Sequence, residues 1–327
     1  ITVGPAMQGT YVIGSSGGAD YSNFSDAVSD LNILGVCDTV WFDVETGNYT
    51  EQFQIDQILG AAADRPVYFQ SISGNASDVH IIQTATNNTT NYVVSLNGAD
   101  HVSFLDMTIR NTTSGTYSNA FSITGSADSN TIDGCVIKAG PTTYTGAGNY
   151  STGIYMYGNN HGNTFTNNRI EGGSCSIYAY GGGLTSRAEN TTIDNNIIKN
   201  SYFYTIYAYY LDGLAFNNNT VTNDSAMYLY GYGPLFVYAD NFNITNNFVG
   251  TDMNNGYYYG MYLTNSIGTN NPRSRVANNC INSGSETGAS YGYYGFYSSG
   301  SGIFDFHHNS INRRGQSGSY YASYITN

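Results

Sequence analysis

The chain has 327 residues, of which 10% are charged, and a formal net charge of −13. Ten lysines and arginines cannot build a stripe that tracks a phosphate backbone, so nucleic acid is excluded as a partner. The absence of any run of about 18 apolar residues excludes a helical membrane span, while 15% aromatic residues supply enough apolar surface for a large core.

In chain order, residues 1–14 carry Thr10, Tyr11, Val12 and Ile13 and read as a strand. Residues 19–35, ADYSNFSDAVSDLNILG, then place Phe24, Ala27, Val28 and Leu31 at helical spacing, with Ser22 or Asn23 available as the N-cap. This predicts a short amphipathic helix covering the first coil of strands. The expected organisation is an N-terminal strand and capping helix over 1–36, ahead of one continuous unit over 37–327. Segments 40–55, 66–72, 79–84 and 92–96 are rich in Val, Ile, Tyr and Phe and read as its first strands.

From residue 103 onward a repeat is visible: SFLDMTI (103–109), TIDGCVI (131–137), TFTNNRI (164–170), TIDNNII (192–198), AFNNNTV (215–221), NITNNFV (243–249), RVANNCI (275–281) and DFHHNSI (305–311). The last residue of each is apolar, and so is the residue five earlier. Two places before the end stand Met107 and Cys135, followed by Asn168, Asn196, Asn219, Asn247, Asn279 and Asn309. In coils stacked about 4.8 Å apart, such amides can hydrogen-bond to the coils above and below. An asparagine also tolerates the left-handed backbone of a tight bend. The expectation is a buried ladder at a turn.

A second strand of period two recurs as GIYMYG (153–158), SIYAYG (176–181), TIYAYY (205–210), AMYLYG (226–231), GMYLTN (260–265), GFYSSG (295–300) and ASYITN (322–327). This alternation turns Ile154, Ile177, Ile206, Met227, Met261 and Phe296 inward. Tyr155, Tyr178, Tyr207, Tyr228 and Tyr262 face outward, beside a parallel column of Tyr157, Tyr180, Tyr209 and Tyr230. Further tyrosines cluster just upstream, at 202–204, 257–259, 293–294 and 320–321. Coils this short leave no room for crossover helices. The predicted fold is all-β: a single right-handed parallel β-helix solenoid with a short N-terminal capping helix, each coil burying its inner face against its neighbours.

The opening GGADYSNFSDAVSDL, followed by VWFDVETGNYTEQFQI, resembles the start of pectin methylesterases, and the whole chain resembles the pectate-lyase-like superfamily of right-handed parallel β-helices. Its Asn- and Tyr-rich coils are similar to the β-helix regions of surface proteins and adhesins of Bacteroidota. The resemblance implies a secreted or cell-surface location.

Chemistry-bearing clusters are sparse. Asp133 and Asp194 share an outward column with Thr166 between them, which puts the two carboxylates about 10 Å apart and argues for solvated acids. The pattern of Gln, Asp and a downstream Arg-Trp that the methylesterase resemblance would imply is absent, the only Trp being Trp41. Asp305, His307 and His308 are the weak catalytic candidates, as an imidazole–carboxylate group able to do acid–base work. The competing reading makes His308 a turn residue and leaves His307 in solvent. Cys37, Cys135, Cys175 and Cys280 lack metal-ligand spacing, so no metal and no cofactor is expected.

The resulting expectation is a non-catalytic extracellular structural or adhesive module. Its partners would be the rest of a longer surface polypeptide or further copies joined head-to-tail, with segment 1–14 donated as a strand to a solenoid ending mid-coil at 319–327. The alternative is carbohydrate binding through the tyrosine columns, or a polysaccharide-degrading β-helix enzyme.

Overall fold

The computed structural model describes residues 4–85, 87–223, 230–251, 257–268, 273–284, 292–314 and 319–326. Among them, parallel strands stack into three sheets of eleven, ten and ten strands, and one coil contributes one strand to each. In a representative coil, Thr192–Asp194 lies in the first sheet, Ile197–Lys199 in the second and Tyr204–Tyr209 in the third. Ala215–Asn217 then returns to the first sheet, in register on Thr192–Asp194.

Period-two alternation selects what each strand buries. On the first sheet Ile132, Phe165, Ile193, Phe216 and Ile244 form one fully buried column, and on the second Ile109, Ile137, Ile170, Ile198 and Val221 form another. Each such side chain contributes about 1.5–3 kcal/mol of burial. Phe42, Phe69 and Phe104 open the first column as a stack, with ring centroids 4.6 and 5.0 Å apart.

The helix Phe24–Leu34 closes the N-terminal end, as its spacing predicts. Phe24, Ala27, Val28 and Leu31 are buried, and Asn23 is the N-cap, accepting from the Asp26 N–H at 2.8 Å. The Glu51 carboxylate takes two more of the free N–H groups, from Phe24 and Ser25. Met7–Ile13, the expected donor strand, instead pairs in parallel with Val36–Val44 of its own chain and buries Ile13. It is the first strand of the first sheet, so its hydrogen-bonding edge on that side is already occupied.

The corner between the first and second sheets is uniform: from residue 106 to 309 every turn has two residues. The second residue forms the ladder. Asn196 Nδ2 donates to Asn219 Oδ1 at 3.0 Å, Asn219 to Asn247 at 3.1 Å, Asn247 to Asn279 at 2.9 Å and Asn279 to Asn309 at 2.9 Å. Each Oδ1 also accepts the backbone N–H of the ladder residue one coil earlier, and each Nδ2 donates to a carbonyl of that coil, as Asn219 does to Ile193 O at 2.9 Å. Asn168 through Asn279 are buried and Asn309 is half-buried. The left-handed backbone, however, falls on the residue before the ladder: Asp106, Gly134, Asn167, Asn195, Asn218, Asn246, Asn278 and His308 have φ between 53° and 64°. The Asn-Asn pairs thus divide the two roles that sequence reasoning gave to one residue.

Candidate functional site

The sequence-derived candidates separate once placed. Tyr155, Tyr178 and Tyr207 lie on the outer face of the third sheet with ring centroids 5.3 Å apart, beside Tyr157, Tyr180 and Tyr209 at 5.5 and 5.1 Å. Burial among neighbouring rings pushes the hydroxyls of Tyr155 and Tyr207 up to about 12, and that of Tyr178 further still. The next strand is Tyr230–Val237, where Leu235 stands opposite Tyr207, Val237 opposite Tyr209, and Tyr230 pairs instead with Tyr257. Tyr228 lies outside the described residues. Tyr262 resumes the column with Tyr297 and Tyr324, at 4.6 and 5.1 Å. Alongside, Tyr204, Tyr232, Tyr259, Tyr294 and Tyr321 make an unbroken stack at 5.0–5.2 Å.

Asp305, His307 and His308 are adjacent but differently engaged. Arg273 holds Asp305 at 2.8 Å, His308 takes the left-handed turn position, and the ring of the exposed His307 meets that of His308, at 3.2 Å between Nδ1 atoms. Asp133 accepts from Thr166 and Asn167, each at 2.7 Å, and Asp194 from Asn218 at 2.8 Å, so both acids tie turns together. Cys135 and Cys175 are buried thiols, the first pushed up to about 12 by burial. Among the described residues no three His, Cys, Asp or Glu side chains gather to hold a metal ion.

A different group assembles on the second sheet. Its register places Arg110, Lys138, Glu171 and Lys199 in one outward column, one residue beyond the buried apolar position. Arg169 adjoins them, because residues two apart on a strand share a face. Lys138 Nζ lies 3.2 Å from Glu171, and Arg169 also pairs with Glu171. Arg110 is exposed and, among the described residues, forms no ion pair. Four of the chain's ten basic residues therefore occupy four consecutive coils of one face.

Beside this column the connection from the second to the third sheet lengthens to residues 139–151, against 172–174 and 200–203 in the next two coils. The long loop stands as a wall. Gly140 permits its close approach to the preceding coil, where a Cβ would lie 1.8 Å from Thr113 O. Asn149 anchors its far end, accepting from Asn91 at 3.1 Å and Asn119 at 2.8 Å and donating to Asn88 O at 3.1 Å. Between wall and sheet lies a cleft of about 440 Å³, bounded by Arg110, Lys138, Glu171, Pro141, Asn200 and Tyr202. A second hollow of about 550 Å³ adjoins it across Pro141 and Thr142. Such a site combines cationic donors, a flanked carboxylate and ring surface. Sequence reasoning missed it because its members stand 28 to 33 residues apart; the available signal was that both lysines of the chain occupy this one column.

The model of the family described as right handed beta helix region matches residues 71–271 and 152–324. No curated protein matches the sequence. Among solved structures, the chain is similar to pectate lyase Pel9A, at 12% identity and a TM-score of 0.53 over 96% of this chain and 80% of that one. It is likewise similar to a pectin methylesterase in complex with a hexasaccharide, at 14% identity and a TM-score of 0.51 over 74% of this chain and 80% of that one. At such identities the likeness is one of fold. It nevertheless corrects the expectation of a non-catalytic structural or adhesive module: the solenoid is shared with carbohydrate-active enzymes, which favours the alternative reading. With its model matched across most of the sequence, this chain belongs to the right-handed β-helix family.

Proposed function

We propose that the protein is an extracellular enzyme acting on acidic polysaccharide, with the cleft between the second sheet and loop 139–151 as its substrate site. The observation that carries this reading is the basic column: a chain of net charge −13 gathers Arg110, Lys138, Arg169 and Lys199 on one face, and Arg110 has no carboxylate partner among the described residues. A guanidinium fork suits the carboxylate of a uronic acid, and the neighbouring Lys138 adds a point charge. Glu171, nearly buried between Lys138 and Arg169, is the group placed for acid–base work on the bound sugar. Pro141 and Tyr202 supply the apolar walls typical of such clefts. The fold likeness to structures named pectate lyase and pectin methylesterase makes a galacturonate polymer the first substrate to try. The Asn- and Tyr-rich coils, similar to those of Bacteroidota surface proteins, support an extracellular setting.

The test is binding and turnover on polygalacturonate, methylated pectin and a neutral glycan. Arg110→Ala combined with Lys138→Ala should weaken acidic-glycan binding at least tenfold, whereas Glu171→Gln should abolish product formation and retain binding. Absence of acidic-glycan binding, or a double variant that matches the unaltered protein, overturns the reading.

A further inference from the structure

The corner between the third and first sheets holds an arrangement unrelated to the cleft. At one turn position Gly98, Gly125, Gly158, Asn265 and Gly300 take the left-handed region, with φ between 49° and 99°, while Gly181 at the same position does not. Those are residue types that tolerate it. Tyr210 and Tyr238 occupy the same position in two intervening coils, with φ of 55° and 50°. A bulky aromatic there is a backbone outlier, and such strain persists where the local arrangement serves a role.

Burial does not account for it, because both rings are only half-buried. They stack on each other at 5.2 Å and meet the stack of Tyr180 and Tyr209 nearly at right angles, 86° for Tyr180–Tyr210 and 75° for Tyr209–Tyr210. Both sets advance along the solenoid axis. Planes at right angles cannot both lie across that axis, so one set turns its ring faces away from the coils above and below. The rings of Tyr180 and Tyr209 both flank that of Tyr210, with centroids 5.4 and 4.6 Å away, which gathers three phenols at one place. Exposed Tyr157 extends the row, 5.5 Å from Tyr180. The nearby cation, Arg187, is engaged by Asp240 at 3.1 Å and by the Tyr238 carbonyl.

We propose that Tyr157, Tyr180, Tyr209, Tyr210 and Tyr238 form a second carbohydrate site for an uncharged, extended β-linked glycan lying along the solenoid axis. Ring faces stack on the C–H faces of pyranoses while phenol hydroxyls bond to their hydroxyls. The ring-to-ring advance of 5.1–5.5 Å is close to the length of one sugar residue in an extended chain, so each coil addresses one residue. The neutral ligand follows from the engagement of Arg187.

The strain supplies a discriminating test. Asparagine fits the left-handed position, as Asn265 does two coils after Tyr210, so Tyr210→Asn and Tyr238→Asn should leave the melting temperature unchanged or raised. Retention on soluble β-glucan, xyloglucan and glucomannan should fall at least tenfold. The Arg110→Ala, Lys138→Ala variant should retain these neutral glycans, which separates this site from the cleft. Absence of neutral-glycan binding by the unaltered protein, unchanged binding by the asparagine variants, or a lowered melting temperature with binding intact would each overturn the proposal.

Discussion

Two corners of the same coils are built on opposite plans. The corner joining the first and second sheets repeats a two-residue turn from coil to coil, whereas the corner joining the second and third varies from three residues at 172–174 to thirteen at 139–151. Repetition lets one side chain type satisfy the same buried backbone groups in every coil, and it leaves no room for anything else. Variation forfeits that regular ladder but creates a wall, two hollows and a guanidinium with no ion pair among the described residues. The regular corner holds the fold, and the irregular one is where ligand chemistry can be placed.

The largest expected effect lies in the regular corner. Asn219→Leu removes the acceptor for the Asn196 N–H and the donor for Ile193 O, both buried, so unfolding free energy should drop by roughly 2–5 kcal/mol in a denaturant titration. A loss below about 1 kcal/mol would mean that the ladder is incidental. At the irregular corner Asn149→Ala releases the loop anchor and leaves the Asn91 and Asn119 amides short of a partner. It should cost about 1–3 kcal/mol and weaken acidic-glycan binding at the same time. Stability loss without a binding change would detach the wall from the cleft.

A smaller effect should separate the tyrosine stacks from both corners. The hydroxyls of Tyr155, Tyr207 and Tyr259 are held up to about 12, against an ordinary 10.0, chiefly by burial. Above pH 10 the unfolded chain releases protons that the folded chain retains. The stacks' contribution is therefore fully present below pH 10 and declines between about 10 and 12. Melting temperatures measured across this range should fall, and Tyr207→Phe should flatten the slope; an unchanged slope would argue that the rings sit in water.

The same contrast decided what could be read from the sequence. The constant turn fixed the spacing between the apolar residue of the first sheet and that of the second, so Phe165 to Ile170 and Ile193 to Ile198 announced strands, core and ladder together. In the coil after Val221, AMYLYG matched the expected pattern better than YGYGPLFV, because a proline inside a run argues against a strand. The chain nevertheless places Pro234 opposite Ile206 and Phe236 opposite Ala208. Periodicity could not detect that slip, since a longer connection shifts register without altering alternation. The basic column was hidden for a related reason. Arg110, Lys138, Glu171 and Lys199 differ in type and sign, so they form no visible repeat, and only stacking in register makes them neighbours. Tyr210 and Tyr238 were equally obscured, because backbone strain leaves no mark on composition.

The division of labour between the two corners is tested most directly by measuring melting temperature and acidic-glycan affinity together, for Asn247→Leu and for the Arg110→Ala, Lys138→Ala variant. Asn247 makes the same set of bonds as Asn219, one coil further from the cleft. The ladder variant should melt well below the unaltered protein yet, while folded, bind with unchanged affinity. The cleft variant, in which Arg169 still pairs with Glu171, should lose far less stability than the ladder variant and lose at least tenfold in affinity. Affinity lost with the ladder while folded, or kept without the two basic residues, would contradict the account.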